Sequence, residues 1–173
     1  MAKPGYGKAK GSQFEREVCV MLSRWVSNGA QDDCFWRSAM SGGRSTVAAK
    51  KGKRLAAQGG DISCIHPIGQ RFSDLFVAEC KFYSDLNISG LLTGKGKLVE
   101  FWKVLCREAN RLEKLPFLIA KQNRLPTFIC LSNAGVGELL RGYEITTSFL
   151  LISPPLSLNI FTAETFLTKF PPP

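Results

Sequence analysis

The chain holds one histidine, His66, in 173 residues, and its six cysteines (Cys19, Cys34, Cys64, Cys80, Cys106 and Cys130) form no Cys-x-x-Cys pair. The usual zinc site needs closely spaced thiols or imidazoles, so this scarcity argues against one. It also argues against chemistry that depends on a histidine base. His66 precedes Pro67 and reads as a turn residue, and the cysteines, several in apolar runs, read as buried thiols. Long apolar runs are missing too. The greasiest segment, Phe149 to Ile160, is broken by Pro154-Pro155, so no membrane span is expected. Met1-Ala2-Lys3-Pro4-Gly5 carries no apolar signal-peptide core, which gives a cytoplasmic location as the expectation.

With 45% hydrophobic and 21% charged residues, the composition is that of an ordinary globular domain with a real core. The net charge of +9 is unevenly placed. Residues 1–54 hold 11 Lys/Arg against 4 Asp/Glu, whereas residues 55–173 hold 12 against 10. Concentrated positive charge suits a polyanion, with nucleic acid the leading candidate; a solvated basic arm would look the same.

Residues 1–10 read as a flexible basic arm, and residues 11–170 as a single domain. From Ser12 to Val26 the residues Phe14, Val18, Met21, Leu22, Trp25 and Val26 recur at helical spacing. With Phe14 at zero they fill an arc from about −20° to 120°; Glu15 falls inside it at about 100°, and Glu17 falls outside. Cys34–Arg37 reads as a short strand. The small, polar and basic stretch 41–58 reads as a mobile loop. Two strands follow at about 61–66 and 75–83, joined as a hairpin through Pro67-Ile68-Gly69-Gln70. Then come a Gly-bearing loop at 87–97 and a helix at 98–114. Its core face is Leu98, Phe101, Trp102, Leu105 and Leu112, and Lys103, Arg107, Arg111 and Lys114 form an opposite basic stripe. Strands at Pro116–Ala120, Thr127–Leu131 and 148–153 and a helix at 163–169 complete an α/β domain around a mixed sheet flanked by helices.

The most informative stretch is Phe76-Val77-Ala78-Glu79-Cys80-Lys81-Phe82-Tyr83. Side chains alternate along a strand, so Leu75, Val77, Glu79 and Lys81 share one face. Two charges in such a strand end up paired, metal-bound or at a wet site, because desolvating them alone is costly. Upstream, Gly59-Gly60-Asp61 sets a carboxylate at the mouth of another apolar run. Asp61 and Glu79 can converge on a Mg2+ ion, which prefers oxygen ligands, with the backbone carbonyl of Cys80 as a further ligand. Such a metal acidifies water and neutralises a phosphodiester's leaving oxygen. Lys81 can orient the water or stabilise the transition state, and Glu15 can ligate a second ion or steer the water. The spacing alone also allows a structural Glu79–Lys81 ion pair with Asp61 as a cap.

Asp61…Glu79-Cys80-Lys81 resembles the Asp…(Asp/Glu)-x-Lys core of the restriction-endonuclease-like, PD-(D/E)XK nuclease superfamily. Lys10-Gly11-Ser12-Gln13-Phe14-Glu15-Arg16-Glu17-Val18 and Arg37-Ser38-Ala39-Met40-Ser41 are similar to the opening helix and following loop of archaeal-type Holliday junction resolvases. The resemblance covers about residues 10–121. It implies a restriction-endonuclease-like core and a Mg2+-dependent endonuclease, with Mn2+ able to substitute, whose active-site positions are Glu15, Asp61, Glu79 and Lys81. It further implies a homodimer that binds branched or four-way junction DNA, in the cytoplasm and nucleoid of a bacterium or archaeon or encoded by a phage. Lys10, Arg37, Ser38 and Ser41 become candidate DNA contacts. In the basic loop Arg44, Lys50, Lys51, Lys53 and Arg54 suit phosphate contacts, which position DNA without reading its sequence. The chain departs from the resolvase pattern in a longer stretch between Ser41 and Asp61 and in about 50 further C-terminal residues.

Overall fold

Phe14, Val18, Leu22 and Trp25 line one stripe of the first helix, α1 (Tyr6–Val26), and that stripe is buried against the sheet. The computed structural model describes residues 6–38, 59–142, 150–152 and 157–173. Residues 6–10, expected to be a flexible arm, form the start of α1. The basic stretch 41–58, with Ser41, Arg44, Lys50, Lys51, Lys53 and Arg54, lies outside the described residues.

Strand β1 (Phe35–Arg37) pairs antiparallel with β2 (Ile62–Cys64), Phe35 opposite Cys64 and Arg37 opposite Ile62. The hairpin expected between 61–66 and 75–83 does not form: β2 belongs to this separate ribbon. The connection folds instead into a 3-10 turn (Pro67–Gly69) and a short helix, α2 (Gln70–Leu75). His66 caps that turn, its Nδ1 accepting the Ile68 N–H at 3.2 Å, and Pro67 sits at the first position, where a missing N–H does no harm. The reason for the turn is Phe72. Its ring meets Phe35 (5.3 Å), Phe76 (5.3 Å), Phe117 (5.0 Å) and Trp25 (6.1 Å) between centroids, joining the ribbon, the sheet and α1.

The main sheet has five strands in the order β3 (Phe76–Tyr83), β4 (Leu115–Gln122), β5 (Thr127–Ser132), β7 (Leu158–Thr162) and β6 (Leu150–Ile152). Only β3 and β4 are parallel, as a crossover through helix α3 (Lys97–Arg111) requires; the other pairs are antiparallel. Alternation divides the interior in two. Phe76, Ala78, Cys80, Phe117, Ile119 and Ile129 face α1, α2, α4 (Asn133–Leu139) and α5 (Ala163–Lys169). Val77, Leu118, Ala120 and Cys130 face α3, where Leu98, Val99, Trp102 and Leu105 are buried. Helices thus cover both faces of a mixed sheet, the restriction-endonuclease-like arrangement. Lys103, Arg107 and Arg111 are exposed on α3, but Lys114, expected in the same stripe, donates to the carbonyl of Ser73. Among the described residues no helix is long and apolar enough to cross a membrane.

Removing the Phe72 ring should leave a cavity where three elements meet. The expected outcome for Phe72→Ala is a loss of ~3–5 kcal/mol in urea unfolding. A loss under about 1 kcal/mol would contradict the central place given to α2.

Candidate active site

Strand β3 lies at one edge of the sheet, so its outer N–H and C=O groups need partners. The Gly59-Gly60-Asp61 turn supplies them. Gly60 has φ +87°, and a Cβ there would lie 2.3 Å from the Ala78 carbonyl oxygen, so only glycine lets the chain press this closely on β3. The Asp61 N–H then donates to the Ala78 carbonyl at 2.8 Å, and the Cys80 N–H donates to Asp61 Oδ2 at 2.9 Å. Asp61 is only 7% exposed. On its other side, its carbonyl accepts the Ser38 N–H at 2.8 Å, tying in the end of β1.

Glu79 and Lys81 project from the α3-facing side of β3 and are half-buried. The Lys81 ammonium bonds Glu79 Oε1 and lies 3.9 Å from Asp61 Oδ2, so both carboxylates share one cation. Glu15 arrives from α1 on the inward arc. Its Oε2 receives the Arg37 Nε–H at 2.5 Å, and Arg37 Nη2 also donates to Ser12 Oγ at 3.0 Å. Arg37 is placed by β1, whose Phe35 N–H is anchored on the buried Ser23 hydroxyl at 3.1 Å.

Burial pushes the Asp61 carboxyl up to about 7, with Glu79 and, more weakly, Glu15 adding to the rise; Lys81 and the Cys80 N–H oppose it. For Lys81, burial alone would lower the pKa, but Glu79 and then Asp61 outweigh it and the net shift is upward. Lys81 therefore stays an ammonium, able to stabilise negative charge and unsuited to act as a base.

Asp61, Glu79 and Lys81 are thus brought together as expected. Glu15 stands near enough to act on Asp61 electrostatically but is engaged by Arg37. Among the described residues no three His, Cys, Asp or Glu side chains are grouped to hold a metal. The donor chemistry still fits a hard divalent ion. Two carboxylates already converge on a cation, and the Cys80 carbonyl shares the edge of β3 that its N–H occupies, because a strand residue points both groups the same way. Of the expected DNA contacts, Arg37 is taken up by Glu15 and Ser12, and Ser38 is buried. Lys10 lies 3.6 Å over the Phe82 ring and donates to Asn123 Oδ1 at 2.8 Å. Lys121, which the strand pattern did not single out, lies 5.3 Å over the same ring. The alternation that groups Glu79 and Lys81 puts Tyr83 on the same face of β3.

An Asp whose folded pKa of about 7 exceeds the free value of 3.8 makes the folded state bind more protons than the unfolded one between those limits. Stability therefore falls as pH rises through that window. In metal-free buffer Asp61→Asn should melt ~4 °C or more above the wild type near pH 8, an advantage that shrinks toward about pH 5. An unchanged difference at both pH values would contradict the burial argument.

A family model described as "Phage putative PDDEXK endonuclease" matches residues 6–171. The chain matches no curated protein and no solved structure. The family match runs through α1, the Gly60-Asp61 turn, β3 and α5, so every segment that builds the site lies inside it. The chain therefore belongs to the phage PDDEXK endonuclease family and is a nuclease of the PD-(D/E)XK type.

Proposed function

We propose that the protein is a Mg2+-dependent DNA endonuclease, with Mn2+ able to substitute, that hydrolyses phosphodiester bonds and prefers branched DNA such as a four-way junction. The observation that carries the catalytic part is the convergence of Asp61 and Glu79 on the Lys81 ammonium beside β3. Asp61, Glu79 and the Cys80 carbonyl would hold the ion. Bound there, it would acidify and orient a water and neutralise charge on the leaving oxygen.

The chain's own groups do the rest. Lys81, kept protonated by the two carboxylates, turns from Glu79 toward the phosphate and stabilises the charge that develops on its oxygens. Glu15, oriented by Arg37, faces Asp61 from the α1 side and steers the attacking water or ligates a second ion. Lys10 and Lys121 hold the flanking phosphates, while Arg37 stays on Glu15 and Ser12. The basic residues Arg44, Lys50, Lys51, Lys53 and Arg54 add sequence-independent affinity.

Preference for a junction rests on the resemblance of Lys10–Val18 and Arg37–Ser41 to resolvases. A homodimer fits it, since a two-fold interface matches two symmetric cuts. A nickase or repair nuclease acting on other DNA is the competing reading, and the family's phage label fits a phage-encoded enzyme of either kind.

Cleavage of four-way junction, flap, nicked and linear duplex DNA distinguishes these. The expected outcome is Mg2+-dependent scission, fastest on branched substrates and abolished by EDTA. Lys81→Ala should lower the rate by ~100–1,000-fold, and Asp61→Asn by at least as much. Wild-type rates in either variant would overturn the catalytic assignment. Equal rates on junction and linear duplex would overturn the junction preference alone.

A further inference from the structure

The face of β3 that carries Glu79 and Lys81 ends in Tyr83, which the catalytic account leaves unused. Tyr83 is 39% exposed, a large aromatic at the surface beside a polar site. Its ring packs on Phe101 of α3, with centroids 5.2 Å apart and planes tilted by 34°. Phe101 is half-buried and rests on the α3-side core, so the pair is backed by packed structure. A lysine ammonium lies over each ring. Lys97 Nζ lies 5.6 Å from the Tyr83 centroid, and Lys81 Nζ lies 5.5 Å from the Phe101 centroid.

An exposed ring, packed from behind on Phe101 and covered only by the exposed Lys97 side chain, has the makeup of a nucleobase platform: a base displaces the lysine from the π-face, and the ammonium moves to the adjoining phosphate. Position strengthens this reading. Two residues along a strand span ~6.6 Å, so Tyr83 stands within one nucleotide of Lys81, where the phosphate to be cut would lie. Inside an intact duplex each base face is covered by its neighbours. Only an unpaired, frayed or displaced base offers a free face to a side chain.

Building on the nuclease reading, we propose that Tyr83, backed by Phe101 and flanked by Lys97, stacks an unpaired DNA base next to the scissile phosphate and so selects splayed or single-stranded nucleotides over closed duplex. Tyr83 is then a substrate-positioning residue, and the preference for branched DNA acquires a physical source in base pairs that open at a branch point or in the single strand of a flap.

The test uses the full-length Asp61→Asn protein in EDTA, so that binding is read with cleavage disabled. Affinity is measured for a single-stranded oligonucleotide, for an oligomer of equal length made wholly of abasic sites, and for a duplex. Tyr83→Ala should weaken single-strand binding by ~5–100-fold, the range of one base–aromatic stack, and leave the abasic oligomer and the duplex unaffected. Tyr83→Phe should rescue the loss. Tyr83→Leu, which keeps an apolar contact with Phe101 but has no π-face, should not. Equal losses on the base-bearing and abasic oligomers, or no loss on either, would overturn the proposal. A wild-type protein that cuts no DNA would sink the nuclease reading without touching this result; unchanged single-strand affinity beside intact cleavage would sink the stacking alone.

Discussion

Two hydrogen bonds between Asp61 and the outer edge of β3 are the constraint on which the rest of the site depends. The Asp61 N–H takes the Ala78 carbonyl and its carboxylate takes the Cys80 N–H, so one residue occupies the strand edge from both sides of its own backbone. This closes an edge that would otherwise invite pairing with another chain. It also fixes a carboxylate beside Glu79 and Lys81 with little freedom to move. The Gly60 turn makes the approach possible, and Phe72 holds the ribbon and sheet in the matching orientation.

That arrangement works against stability. Asp61 is buried near two other carboxylates, and Lys81 and Arg37 balance them only partly. A protein selected for stability alone would place an amide or an apolar group at this edge. Holding an acid there at a free-energy cost is what the metal-binding role proposed for Asp61 would account for. The same layout explains the division of labour between the cations. Lys81 lies inside the Asp61–Glu79 pair, whereas Arg37 engages Glu15 on the α1 side.

Much of this was legible in the residues because it follows from alternation. The period of two along 76–83 separated Glu79 and Lys81 from the Phe76, Ala78 and Cys80 face, and the helical arc put Glu15 inward and Glu17 outward. What local patterns could not carry was pairing. The three-residue β2 is too short to declare its partner, and Pro67 and Gly69 read as a hairpin turn when they open a 3-10 turn leading into α2. Helix α4 escaped because Asn133-Ala134-Gly135-Val136-Gly137 is poor in helix formers. Its one local signal is Ser132, whose hydroxyl accepts the Gly135 N–H at 3.1 Å. Strand β7 was hidden behind the Pro154-Pro155 break. Lys114 left the basic stripe because it lies beyond the end of α3, where the helical period no longer governs its direction.

The most direct test is a carbon-13 NMR titration of the Asp61 carboxyl, with Asp61→Asn to assign the resonance, in metal-free buffer and again with Mg2+. A midpoint near 7 without metal, displaced downward by Mg2+, is the result this account predicts. A midpoint near the free value of 3.8 that Mg2+ does not move would mean that Asp61 is an ordinary turn carboxylate, and the site as described here would not exist.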